Sequence, residues 1–187
     1  MPNPMLKLKF LKTALQDLKT VGALFPSSKY VARKIIAALK PECKYIVEYG
    51  GGDGAVTKEL LRHLASDGRI AVIELNKRFA AALKEIKDDR LSVIEGDVVV
   101  IAKNLAAIGL PRIDAVISSM PFSFLGGTKR NELIRHTARS LRSGGTLIIY
   151  HQYTPLSLGA VRRHFTSARV SFESRNILPC FVIVAEK

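Results

Sequence analysis

Three glycines at alternate positions, Gly50, Gly52 and Gly54, stand between a short apolar run over 45–48 and a helical spacing through Val56, Leu60, Leu61 and Leu64. Glycine accepts positive φ and lets a ligand approach the backbone with no Cβ in the way. A helix that begins behind such a turn aims free N–H groups at whatever the turn holds. Glu74 ends a second apolar run, twenty residues after Gly54, where a carboxylate can accept both hydroxyls of a ribose. Asp97 ends a third and can accept from the exocyclic amine of adenine. The chemistry of this set is adenosine binding. Gly50-x-Gly52-x-x-Ala55 also satisfies the dinucleotide pattern, although a nicotinamide enzyme needs more chain for its second half-fold.

A second group lies further on. A fourth apolar run ends in Ser118-Ser119-Met120-Pro121-Phe122, and a fifth is followed by His151 and Tyr153. Tyr30 precedes the glycine turn, just after Pro26-Ser27-Ser28. Hydroxyls and an imidazole at strand ends can exchange hydrogen bonds and move protons. The plainer readings are a strand-ending turn at Met120-Pro121-Phe122, a structural histidine, and an N-cap at Ser27 or Ser28 for a helix over 31–39. Cys43 and Cys180 have no metal-ligand spacing and read as buried small hydrophobes, and no metal is expected.

Strands must position these groups. The apolar runs predict strands at 45–48, 70–75, 91–95, 113–118, 146–150, 169–173 and 180–185. Helices are predicted between them at 56–64, 79–86, up to Leu110-Pro111, 131–141 and 158–165. Seven strands alternating with helices imply an α/β fold: a seven-stranded, mostly parallel sheet with helices on both faces. Residues 41–187 form the ligand-binding unit. Residues 1–40 are a helical cap, in which Leu8, Leu11, Leu15 and Leu18 oppose Lys9, Lys12, Gln16 and Lys19. That basic amphipathic helix can lie in a membrane interface or pack its leucines on the domain.

The 187 residues carry a formal net charge of +13, which calls for an acidic partner such as an anionic membrane or a nucleic acid. Residues 1–40 have eight basic side chains and one acidic (+7), residues 41–124 eleven and twelve (−1), and residues 125–187 ten and three (+7). The excess therefore flanks the glycine turn. The longest apolar stretch, 177–185, is too short to span a bilayer, which needs about 20 residues. The N-terminus has no uninterrupted apolar segment of the secretory kind, so a cytoplasmic protein is expected.

The spacing Glu48-x-Gly50-x-Gly52-x-Gly54, with Glu74 and Asp97 in register, resembles the first three motifs of class I S-adenosylmethionine-dependent methyltransferases. That resemblance implies S-adenosyl-L-methionine as cofactor and S-adenosyl-L-homocysteine as product, with Glu48 near the methionine amino group. Tyr49, Leu75, Val98 and Ser118, beside those residues, complete the implied cofactor set with Ser27 and Ser28. Ser119-Met120-Pro121-Phe122 resembles the substrate motif of amine-methylating enzymes, with Ser119 where Asn is usual. There the polar side chain accepts from the target amine and the ring packs on the substrate.

The phrase Gly22-Ala23-x-x-Pro26-Ser27-Ser28, together with Gln152-Tyr153-Thr154-Pro155, resembles the bacterial phospholipid N-methyltransferases, which are similar to an rRNA adenine dimethyltransferase without its helical C-terminal domain. The chain departs from that pattern at Asp53, where Thr is usual, and at Asn176-Ile177-Leu178-Pro179. The resemblance implies a peripheral-membrane enzyme methylating a phospholipid headgroup amine, phosphatidylethanolamine towards phosphatidylcholine. Tyr30, His151 and Tyr153 are then candidates to accept the amine proton, and Arg162, Arg163 and Arg169 to meet the lipid phosphate. The alternatives are an adenine N6-methyltransferase acting on RNA and a cofactor- or lipid-binding module without turnover.

Overall fold

The computed structural model of the protein describes residues 29–120, 122, 125–152, 157–175 and 180–187. Ser27, Ser28, Pro121, Tyr153 and the amphipathic segment over 8–19 lie outside the described residues.

In chain order the elements are α1 (Lys29–Ala38), β1 (Tyr45–Tyr49), α2 (Ala55–His63), β2 (Arg69–Glu74), α3 (Lys77–Lys84) and β3 (Leu91–Glu95). A single turn α4 (Val98–Ile101), running into a 3₁₀ stretch Ala102–Ile108, leads to β4 (Ala115–Ser118). Then come α5 (Gly127–Ser140), β5 (Thr146–Gln152), α6 (Leu158–Arg162), β6 (Ser167–Glu173) and β7 (Cys180–Glu186). The sheet order is β3-β2-β1-β4-β5-β7-β6. β1 to β5 are parallel, and β7 runs antiparallel to both β5 and β6.

Alternation along the strands divides the core in two, because successive side chains leave opposite faces of a sheet. Ile46, Ile70, Val72, Ala115, Ile117, Ile148 and Tyr150 pack with Val31 and Ile35 of α1, Val56, Leu60 and Leu61 of α2 and Leu83 of α3. Val47, Tyr49, Ile73, Val116, Leu147 and Ile149 pack instead with Ala102 and Leu105, Leu133 and Ile134 of α5 and Val161 of α6. The β1–β5 strands are apolar on both faces, as a sheet covered twice requires.

Two helices differ from the periodicity. The helix expected to run up to Leu110 tightens after one turn, and Asn104 leaves helical geometry (φ −144°, ψ 71°) before Gly109 closes the stretch at φ +80°. β-branched Val98, Val99, Val100 and Ile101 lose rotamer freedom in a helix, so tertiary packing decides how far it continues. α6 stops at Arg162 rather than Phe165, whose ring is buried. Among the described residues no helix is long and apolar enough to cross a membrane.

The N-terminal edge of the sheet is tied by one carboxylate. Asp114, its side chain fully buried, accepts from the backbone N–H groups of Lys44 and Tyr45 (both 2.9 Å), from Arg112 Nε (2.8 Å) and from Arg142 Nε (2.6 Å). Burial raises its pKa, but the Arg112, backbone and Arg142 hydrogen bonds outweigh that and hold it below the usual carboxylate value.

Candidate functional site

The order of the sheet reverses between β1 and β4, since β1 sends its chain to β2 on one side while β4 continues to β5 on the other. In such sheets ligands bind at the carboxyl ends of the strands beside that reversal. Gly50, Gly52 and Gly54 occupy that point at φ +77°, +53° and +79°. A Cβ on Gly50 would stand 2.9 Å from Ser119 Oγ, whereas a Cβ on Gly52 would meet nothing within 4 Å. The loop is therefore tight against β4 at one glycine and open at the next.

Glu74 closes the loop from the β2 side. Its Oε2 accepts from Gly52 N–H at 3.0 Å and its Oε1 from Asn76 N–H at 2.8 Å. Each carboxylate oxygen has a further lone pair, so Glu74 shapes the loop and retains acceptor capacity for a diol. Asp97 caps α4 by accepting from Val99 N–H at 2.8 Å and is exposed at the end of β3. Leu75 between them is 58% exposed, an apolar side chain open to a flat ring, while Val98 is buried in the core. Asp53, the residue that departs from the family pattern, accepts from Ala55 N–H at 3.1 Å and so serves the turn itself.

Glu48 is wholly buried in β1. Its Oε2 accepts from the Thr57 hydroxyl at 2.6 Å, and its Oε1 is buried with no hydrogen-bond partner. Burial pushes its pKa up to about 8; the Thr57 bond opposes this, and the nearby charges of Glu74 and Asp53 add to it. A buried carboxylate oxygen without a donor is costly unless a cation or N–H arrives. The ammonium of an amino acid fits that need. With the open backbone at Gly52 and the acceptors at Glu74 and Asp97, these residues fit S-adenosylmethionine.

Thr57 was not among the residues singled out from the sequence. Its signal is a hydroxyl on the buried face of α2, among Val56, Leu60 and Leu61. Tyr49 serves the site through its backbone alone. Its ring enters the opposite core, where its hydroxyl donates to Thr137 Oγ1 at 3.0 Å while Thr137 donates to Leu133 O.

On the substrate side, Ser119 Oγ donates to Gly50 O at 2.7 Å, which joins the end of β4 to the glycine loop and leaves its oxygen able to accept. Ser118 is buried and its Oγ accepts from Met120 N–H at 3.2 Å. One expectation changes. Phe122 is 1% exposed and lies in the apolar cluster with Val98, Leu105, Leu133 and Ile134, so it anchors the core and offers a substrate no open face. Tyr30 carries Arg175 at 4.4 Å and Lys29 at 5.5 Å from its ring centroid. His151 belongs to β5, where the pairing with β7 shifts register between Ile149 and Gln152. Arg163 binds Asn131 Oδ1 on α5, away from the glycine loop, and Arg169 lies in the outermost strand, β6.

Residues 46–145 match the family described as a methyltransferase domain. An ornithine lipid N-methyltransferase of Singulisphaera acidiphila is 28% identical over 173 residues, covering 91% of this chain and 90% of that protein. The ribosomal RNA small subunit methyltransferase A of Xanthomonas euvesicatoria pv. vesicatoria is 31% identical over 108 residues, 56% of this chain and 39% of that protein. The N-methyltransferase NodS of Bradyrhizobium japonicum WM9, solved with S-adenosyl-L-homocysteine, superposes with a TM-score of 0.67 at 14% identity, covering 85% of this chain and 86% of that one.

Proposed function

Since this chain belongs to the methyltransferase domain family and is an S-adenosylmethionine-dependent methyltransferase, we propose that it N-methylates the amine of a lipid headgroup at a membrane surface. The observation that carries this reading is the extent of similarity. The ornithine lipid enzyme is matched over nearly its whole length, whereas the rRNA enzyme is matched over less than half of its own. The acceptor is a primary-amine lipid, either phosphatidylethanolamine or an amino-acid lipid of the ornithine kind.

S-adenosylmethionine, when bound, supplies an electrophilic methyl group on a sulfonium. The chain's own residues hold and orient. Glu48 would take the amino-acid ammonium, the Gly50–Gly54 backbone would give the ligand close approach, and Glu74 and Asp97 would take the ribose and adenine. Ser119, fixed to Gly50 O at 2.7 Å, is the acceptor that aims the substrate nitrogen. An alkylammonium loses its proton near pH 10.4, so its lone pair is occupied at neutral pH. The site must favour the neutral amine, and exclusion of water serves that end as well as the displacement itself. His151, at the end of β5, is the titratable group we assign to the departing proton.

The test is transfer of labelled methyl groups to vesicles containing phosphatidylethanolamine or ornithine lipid, followed by organic extraction and nuclease digestion. Label in the organic phase, migrating as N-methylated lipid, is expected. Label confined to nuclease-sensitive material would overturn the lipid reading in favour of RNA. We assign the basic segment over 8–19 to the bilayer contact, and deletion of residues 1–20 is expected to abolish sedimentation with anionic vesicles.

A further inference from the structure

Three of the ten basic side chains of residues 125–187, Arg135, Arg139 and Lys187, line one concavity. Arg135 and Arg139, four residues apart on α5, line a cavity of about 390 Å³ together with Ala138, His164 and Lys187. Among the described residues no Asp or Glu side chain lines it. Like charges at this helical spacing destabilise a helix. Among the described residues no ion pair engages Arg135, Arg139 or Lys187. Lys187 Nζ donates to the carbonyls of Arg139 and Leu141, which holds its ammonium against the end of α5 beside the arginines.

His164 completes the lining. Its Nε2 lies 3.2 Å from Asn131 Oδ1, an oxygen that also accepts from Arg163 Nε and Nη2. An amide oxygen only accepts, so Nε2 carries the ring proton and Nδ1 of the neutral ring is left with a lone pair. Burial first, then the charges of Arg163 on its own segment and of Arg135 and Arg139 on α5, holds the imidazole below its usual pKa. Each cation here raises the cost of the others. Guanidinium forks and an ammonium around a concave space suit the oxygens of a tetrahedral anion.

We propose that the cavity lined by Arg135, Arg139, His164 and Lys187 is a binding site for a phosphate-class oxyanion, separate from the cofactor site. Lys187 pairs with Gly144 and Gly145 ahead of β5, so the cavity sits at the N-terminal edge of the parallel strands. The glycine loop sits at the other edge, and the seven residues of β5 span about 20 Å between the two. The site therefore does not depend on which acceptor the enzyme methylates. An anionic lipid headgroup and free phosphate share the chemistry that would fill it.

The test is NMR titration of the His164 ring in the full chain with potassium phosphate, against potassium chloride at matched ionic strength. A saturable shift with phosphate alone is expected, together with a rise in the His164 pKa, because a bound anion stabilises the imidazolium. R135Q and R139Q are each expected to weaken phosphate binding roughly tenfold. Their affinity for S-adenosyl-L-homocysteine is expected to stay unchanged, which also reports that they fold. Competition by vesicles of anionic lipid identifies the headgroup as the source, and its absence identifies the soluble anion. Superimposable phosphate and chloride titrations of the wild-type chain would overturn the proposal, as would wild-type phosphate affinity in both variants.

Discussion

Glu48 holds one carboxylate oxygen 2.6 Å from the Thr57 hydroxyl and keeps the other buried with no partner. Nine residues separate them, and β1, the glycine loop and the first turn of α2 bring them together. Thr57 fixes the carboxyl group, and among the described residues its other oxygen has no hydrogen-bond donor.

Glu48→Gln is expected to weaken S-adenosyl-L-homocysteine binding by tenfold or more, roughly the worth of a charged hydrogen bond. Calorimetric titration of both proteins checks it. Equal affinities would show that Glu48 does not meet the ligand's ammonium.

The same residue sets a pH dependence. Its folded pKa of about 8 lies above the ordinary value of 4.5. Below 4.5 both folded and unfolded chains carry the proton. As pH rises from there towards 8, the unfolded chain ionises first and the ligand-free fold loses stability. Thermal denaturation at steps across this window should show wild type falling relative to Glu48→Gln. Parallel curves would mean that the carboxyl is not held neutral by the fold.

Gly50→Ala and Gly52→Ala are expected to separate. Both place a side chain at positive φ, which costs about 1–2 kcal/mol. At Gly50 the new Cβ also meets Ser119 Oγ at 2.9 Å, where at Gly52 it meets nothing. Urea denaturation should find Gly50→Ala the less stable of the two, with Ser119→Ala in the same chain recovering part of the difference. Gly52→Ala should lose cofactor affinity more than stability.

Glu74→Ala removes the acceptor of both Gly52 N–H and Asn76 N–H along with the proposed ribose contact. A fall in cofactor affinity beyond tenfold is expected, with Glu74→Gln intermediate because its single carbonyl oxygen still accepts. Fluorescence displacement of a labelled cofactor analogue reads it, and Glu74→Gln falling as far as Glu74→Ala would contradict this order.

Asp114→Ala leaves Arg112 and Arg142 without their shared carboxylate and two backbone donors without an acceptor. Asp114 is buried but Arg112 is half-exposed, so the cost is that of leaving buried donors without their acceptor, about 1–3 kcal/mol. Denaturant midpoints should fall accordingly while cofactor affinity in the folded protein is retained, since Asp114 stands at the edge of the sheet opposite the loop. A loss below about 1 kcal/mol would show the cluster to be solvated in effect.

The glycine loop, Glu74 and Asp97 were legible because backbone conformation and strand length are local matters. Positive φ selects glycine, Glu74 is the last residue of β2, and Asp97 caps the helix that follows β3. The strands were legible for a like reason, as apolar runs bounded by turns. Phe122 was misread because an aromatic residue after a strand looks the same whether its ring turns outward or into the core. Only Leu105, Leu133 and Ile134, brought from elsewhere in the chain, decide between the two.

By itself, then, the sequence determined an α/β sheet, a glycine-rich turn with two carboxylates downstream, and a basic excess placed outside that turn. Those follow from periodicity, spacing and composition, which are properties of neighbours along the chain. The tertiary structure decided what those residues meet. It brought Thr57 to Glu48, set Arg175 on the Tyr30 ring, buried Phe122, and gathered Arg135, Arg139, His164 and Lys187 around one cavity away from the loop. Burial, pKa and unpaired charge arise from contacts between distant segments, and the physical reason they escaped the sequence is that no local pattern encodes which segments will touch.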